Sequence, residues 1–149
     1  MKITDLPVHY NCVDILEHNL VKRAGKVALY SLERQMTFRQ VSQEVNQVGN
    51  ALKKLGVRIG DFVALLSLDL PECVTSFFGI LKVGGVAVGM STTLTPPEYA
   101  YMLDDSRARV LLIPEANPAW PDIIEPSTVV LRGTTVIPIE SPNKTRAGK

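Results

Sequence analysis

Four short runs constrain this chain most: VALLSL (Val63–Leu68), VAVGM (Val86–Met90), VLLI (Val110–Ile113) and VVL (Val129–Leu131). None alternates apolar with polar residues, as a strand with one wet face does. Unbroken apolar strands are buried on both faces, which means a parallel sheet with helices on either side. Parallel strands need helical crossovers between them, and the intervening sequence supplies the signals for two. Asp69 with Glu72 has capping-box spacing and opens a helix through Val74, Phe77, Phe78 and Leu81 to Gly84-Gly85. Thr95-Pro-Pro-Glu98 is a second box, with proline at the first helical position, ahead of Tyr99, Met102 and Leu103. Val63 to Ile113 therefore reads as a βαβαβ unit with right-handed crossovers. The fold class is α/β.

Upstream, Cys12, Leu16, Leu20 and Ala24 recur on one face of a helix expected over Asn11–Ala24, which Gly25 ends. VALYS (Val27–Ser31) is an expected strand and Glu33-Arg34-Gln35 a turn. Thr37 and Gln40 then form the clearest capping box, with Met36 and Val41 spaced for a hydrophobic staple. Phe38, Val41, Val45, Val48, Leu52 and Leu55 give one apolar face, and Gly56 stops that helix. Downstream, Pro114, Pro118, Pro121 and Pro126 argue against a regular helix before Val129. The expected division is an α/β unit over 1–133 and an irregular tail over 134–149 that includes Pro138 and Pro142.

Sixteen basic and fifteen acidic residues leave a formal charge of +1, so nothing points to nucleic acid or a membrane surface. No apolar run reaches the length of a membrane span, and no stretch reads as a signal peptide; a cytoplasmic protein is expected. Cys12 and Cys73 lack metal or redox spacing and sit among apolar neighbours, which predicts two buried thiols. His9 and His18 have no carboxylate in register and read as structural or surface residues.

Three places have polar residues at strand ends or in loops. Asp69, after Ser67, is taken up as a helix cap. Ser91, Thr92, Thr93 and Thr95 offer hydroxyls beside a helix N-terminus, but Pro96 and Pro97 remove two backbone donors and the loop has no cation. Arg132-Gly133-Thr134-Thr135 has too few glycines, and no lysine, for a phosphate loop. Asp104-Asp105 ends a helix with Arg107 and Arg109 nearby to neutralise it. Neither G-x-x-x-x-G-K-[ST], G-x-G-x-x-G nor G-x-S-x-G occurs. No catalytic, cofactor-binding or metal-binding residue is assigned.

The stretches MTFRQV, ALKKLGVRIGDFVALL and LPECVTSFFGILKVGGVAVGMSTTLTPPEYAYMLDDSRARVLL resemble the N-terminal part of AMP-forming acyl- and aryl-CoA synthetases, over about Asn11 to Glu115. Such enzymes activate a carboxylic acid with ATP and pass the acyl group to coenzyme A. The resemblance implies a flavodoxin-like parallel sheet with flanking helices, one part of the large domain of an adenylate-forming ligase. It implies no site residue here. The family's Ser/Thr/Gly-rich phosphate loop, ribose-binding aspartate, adenine segment and catalytic lysine have no counterpart in these 149 residues. ATP, Mg and CoA are thus implied only for a complete enzyme, and none for this chain. The expectation is a truncated or split N-terminal domain, inactive alone, whose partner is the remainder of the ligase or a homo-oligomer mate across an exposed apolar face. Two alternatives stand beside it: an independent binding module that dimerises, and a self-contained enzyme using the Ser91–Thr95 loop.

Overall fold

The computed structural model describes residues 10–32, 34–114 and 135–139. The elements in order are α1 (Asp14–Arg23), β1 (Val27–Tyr30), β2 (Gln35–Thr37), α2 (Phe38–Lys54), β3 (Phe62–Leu66), α3 (Pro71–Lys82), β4 (Val86–Met90), α4 (Pro96–Ser106), β5 (Val110–Pro114) and β6 (Thr135–Ile139). β1 and β2 form an antiparallel ribbon. The other strands form one parallel sheet in the order β4-β3-β5-β6. Numbered within the sheet this is 2-1-3-4, the start of the flavodoxin-like order.

The unbroken apolar runs are explained by what each residue meets. Ala64, Leu66 and Leu111 face α4, packing with Met90, Tyr99, Leu103 and Ala108. Their neighbours Val63, Leu65, Val110 and Leu112 face the other way, against Leu52, Ile80 and Val83 of the α2–α3 side. Since α3 and α4 carry the chain to opposite sides of β3, right-handed crossovers place them on opposite faces. Both faces are dry over Val63–Leu66 of β3 and over Val110, Leu111 and Leu112 of β5. A third cluster, Val13, Leu16, Met36, Val41 and Val45, joins α1 and the ribbon to α2.

The Thr37–Gln40 box forms as expected. The Thr37 N–H donates to Gln40 Oε1 at 2.8 Å, and the Gln40 N–H to Thr37 Oγ1 at 3.3 Å. Met36 and Val41 are both 2% exposed in the same cluster, consistent with the staple. Gly56 closes α2 at φ +80°, a conformation that favours glycine.

Four expectations are corrected. The first helix begins at Asp14 rather than Asn11, because the Asn11 side chain accepts from the Val13 N–H at 3.0 Å and makes a turn. Cys12 therefore precedes the helix and is exposed, not buried; Val13 takes the inward place. Met36 belongs to a strand, β2, whose three residues are too few to show a period. Residues 135–139, expected within the irregular tail, pair with β5 as β6. Among the described residues β6 is an edge of the sheet, where the missing N–H of Pro138 need not break a ladder. Val129–Leu131, expected as the fourth strand, lies outside the described residues.

α2 and α3 pack closely through small residues. A Cβ added at Gly79 would lie 2.6 Å from Val48 Cγ1, so the helices approach backbone to side chain. Next to this contact Ser76 is fully buried, and its hydroxyl has no hydrogen-bond partner among the described residues. Removing a buried unsatisfied hydroxyl relieves a desolvation cost, so Ser76→Ala is expected to raise stability by about 1 kcal/mol. An unchanged or lower urea midpoint would contradict that.

Candidate functional site

Ligands of open parallel sheets bind outside the carboxyl ends of the strands, so the β3–α3 and β4–α4 corners are the candidate site. At the first corner Pro71 occupies the first helical position and Leu70 is the cap, with φ −104° and no side-chain cap hydrogen bond. Asp69 is thus not the cap, and Glu72 is not its capping-box partner. Proline's fixed φ suits the first helical position, which moves the helix start one residue past the box spacing. Asp69 sits instead near Cys73. Burial pushes the Cys73 thiol up, with the Asp69 charge adding to this and a hydrogen bond with Ser67 opposing it. A half-buried thiol held protonated is a poor nucleophile.

At the second corner the same rule places the cap correctly, since Pro96 makes Thr95 the cap and Glu98 the third helical residue. Glu98 Oε2 accepts from the Thr95 N–H and from Thr95 Oγ1, each at 2.7 Å. Ser91 and Thr93 share a hydroxyl hydrogen bond of 2.9 Å, and the Thr93 N–H donates to Ser91 Oγ at 3.3 Å. The Tyr99 hydroxyl donates to the Ser91 carbonyl oxygen at 2.9 Å and pins the loop from below. Three of the four hydroxyls weighed for anion binding are therefore engaged in shaping this turn and cap.

The backbone hydrogen bond from Thr95, with its hydroxyl, holds the Glu98 carboxyl below the usual carboxylate value of 4.5. A group with a depressed folded pKa stabilises the fold above its unfolded pKa and loses that contribution as pH falls through the folded value. The stability difference between the wild type and Glu98→Ala is expected to be constant at neutral pH and to shrink on acidification below 4.5. Thermal melts across that range would show it; a difference independent of pH would contradict it.

The charge cluster absent from the sequence reading is Arg34 with Glu44 and Glu72. Arg34 donates from Nη1 to Glu44 Oε1 at 2.9 Å and from Nη2 to Glu72 Oε1 at 2.7 Å. The Glu72 side chain is 7% exposed and that of Arg34 17%. Burial alone would lower the Arg34 pKa, but the hydrogen bonds and charges of the two glutamates outweigh it and raise it. The cluster ties the β1–β2 ribbon to both α2 and α3. Its partners are 10 and 38 residues from Arg34, so no local spacing announces it.

The remaining candidates do not converge. Asp104 and Asp105 are exposed, and Arg109 pairs with Asp61 at 3.5 Å rather than with them. His18 is exposed on α1. His9 and Arg132–Thr134 lie outside the described residues, and Thr135 opens β6. Among the described residues, no group of three or more His, Cys, Asp or Glu side chains is placed to hold a metal ion. Nor do they bring together a nucleophile, a base and an oxyanion donor.

Identity rests on likeness over the whole fold. The family described as AMP-binding enzyme matches residues 16–147. The chain belongs to that family. An anthranilate CoA ligase solved in complex with anthranoyl-AMP superposes with a TM-score of 0.81 at 55% identity, covering 92% of this chain and 27% of that one. The 3-hydroxybenzoate–CoA/4-hydroxybenzoate–CoA ligase of Thauera aromatica is 37% identical over 101 residues, 67% of this chain and 19% of the relative. The 4-hydroxybenzoate–CoA/benzoate–CoA ligase of Rhodopseudomonas palustris is 31% identical over 136 residues, 87% of this chain and 25% of the relative. This member of the family therefore spans a fifth to a quarter of the length of these curated relatives, and it matches their N-terminal part. No helix among its described residues is long and apolar enough to cross a membrane.

Proposed function

We propose that this chain is the opening subdomain of an aryl-CoA ligase, an enzyme that activates an aromatic carboxylic acid with ATP and transfers the acyl group to coenzyme A in the cytoplasm. The observation that carries the reading is the 55% identity, across 92% of the chain, to an anthranilate CoA ligase. The hydroxybenzoate and benzoate ligases among its relatives support the aromatic class. The subdomain's own part is scaffold. Pro96 and Pro97 lack backbone donors, and the hydroxyls of Ser91, Thr93 and Thr95 are engaged within their own loop, so the described residues do not fit a nucleotide phosphate or its magnesium. By this reading, ATP, magnesium and CoA are held by the rest of the ligase, and the chain alone does not adenylate.

The test replaces the matching segment of the anthranilate CoA ligase with this chain and measures ATP–pyrophosphate exchange. The chimera is expected to exchange with anthranilate or benzoate within about tenfold of its parent, a difference of ~1.4 kcal/mol in barrier. The 149-residue chain alone is expected to show none. A folded chimera inactive with every aromatic acid, or exchange by the chain alone, would overturn the proposal.

A further inference from the structure

At the amino ends of β3 and β4 the chain holds an isoleucine out in water. Arg58 and Asp61 close a tight turn: the Asp61 N–H donates to the Arg58 carbonyl oxygen at 3.0 Å, and the Arg58 N–H to Asp61 Oδ2 at 2.8 Å. Gly60, with φ +85°, takes the third place of the turn, and its N–H donates to the Gly84 carbonyl oxygen at 2.8 Å. These bonds fasten the turn to the start of the sheet. Ile59 is left at its tip, 87% exposed, lying over Gly84, where an added Cβ would come within 2.8 Å of its Cγ1. Turn positions favour glycine, proline and short polar residues, so the turn itself gives no reason for an isoleucine.

Three more exposed apolar side chains adjoin it. Phe62 and Val86 are the first register partners of β3 and β4, and Leu55 follows the last residue of α2. Cations stand around them. Lys53 and Lys54 end α2 and Arg58 opens the turn; all three are exposed, and none belongs to an ion pair among the described residues. Arg109 lies against Gly56, but its charge is balanced by Asp61 at 3.5 Å. The helix dipole is reason enough for two lysines in the last turn of α2, though not for Arg58 or for the apolar side chains. Asp104 and Asp105, also at this end, belong to α4 on the opposite face of the sheet. The formal charge of +1 for the whole chain hides this local excess.

We propose that this end of the fold docks reversibly on an anionic lipid surface, Ile59 entering the headgroup layer and Lys53, Lys54 and Arg58 meeting the lipid charges. The cations set the sign of the partner, and the protruding isoleucine sets its kind. A lipid interface rewards an aliphatic tip flanked by lysine and arginine. Nucleic acid returns nothing for isoleucine, because its phosphates engage only the cations. A second copy would bring like charges face to face. Docking here also leaves the β3–α3 and β4–α4 corners free, since they lie at the carboxyl ends of the strands.

The 149-residue chain and the chimera are each sedimented with vesicles of phosphatidylcholine, alone or with about 30% phosphatidylserine. Both proteins are expected to bind the anionic vesicles only. Replacing Lys53, Lys54 and Arg58 together by glutamine is expected to weaken binding about 100-fold. Ile59→Ser is expected to weaken it about tenfold at an unchanged melting temperature, and Ile59→Ala takes its place if that variant fails to fold. Arg39→Gln is the charge control. Arg39 is exposed at the other end of α2, roughly 22 Å from Lys54 by helical rise, so binding is expected to change less than about twofold.

Equal sedimentation with both kinds of vesicle, or none with either, would overturn the proposal. So would full binding by Ile59→Ser, which would leave the cations to an acidic protein or a nucleic acid. An Arg39→Gln variant as weak as the triple replacement would overturn it too, by showing a diffuse charge effect. Binding by the chain but not by the chimera would do the same, because this end would then be covered in a complete ligase.

Discussion

Replacing Arg34 with alanine is expected to cost the fold about 3 kcal/mol, far more than a surface ion pair would, because it takes the guanidinium away from a carboxylate held in the interior. The Glu72 side chain is 7% exposed and receives the Arg34 guanidinium at 2.7 Å. An exposed pair is worth about 0–1 kcal/mol, since water replaces the lost partner. At Glu72 there is little water to do so. The loss also unfastens the β1–β2 ribbon from α2, since the same guanidinium reaches Glu44 there at 2.9 Å. Urea unfolding of Arg34→Ala would measure the effect, and a loss under about 1 kcal/mol would mean that the carboxylate finds water after all. A double replacement, Arg34→Met with Glu72→Met, separates pairing from packing. It is expected to recover most of the loss, because apolar substitutes for a buried pair carry no desolvation cost.

Gly79→Leu is the second large effect, expected at about 3 kcal/mol of destabilisation. Leaving glycine behind in a helix gains ~1 kcal/mol in propensity, which would make the substitution favourable on an open surface. Here the added Cβ would lie 2.6 Å from Val48 Cγ1, 2.7 Å from Val48 Cβ and 3.3 Å from the Val45 carbonyl oxygen. Val48 Cβ is fixed to the backbone of α2 and cannot swing aside, so the helices must separate. Gly49→Ala gives the contrast, because its nearest neighbour is the Val83 Cγ1 methyl at 3.3 Å. That change is expected to stay within about 1 kcal/mol of the wild type. Equal urea midpoints for Gly79→Leu and Gly49→Ala would show that the α2–α3 contact is looser than described.

Both effects lie where the sequence reading was least informative. Glu72 read as half of a capping box, and its spacing from Asp69 fits that motif. Pro71 was the better guide, because proline at the first helical position names the cap as the residue before it. The same rule gives Thr95 at α4, where box and proline agree. At α3 they disagree and the proline prevails. Arg34 gave no signal beyond its place in an expected turn. The β4–α4 loop was legible as a turn and cap, because the hydrogen bonds that shape them span two or three residues, such as Thr93 to Ser91 and Thr95 to Glu98.

What the sequence by itself determined is whatever neighbouring residues cause. The Thr37–Gln40 and Thr95–Glu98 caps, the Gly56 stop, the unbroken apolar strands and the kinship with adenylate-forming ligases all belong to it. Only the tertiary structure decided the 2-1-3-4 strand order, the pairing of β6 with β5, the exposure of Cys12 and the bridge from Arg34 to Glu72. Caps and stops close rings of a few residues, so a short window holds every atom they need. Strand order, burial and ion pairing depend on which distant surfaces meet. Arg34 and Glu72 are 38 residues apart, and only the packing of α3 beside α2 brings a carboxylate and a guanidinium out of water together.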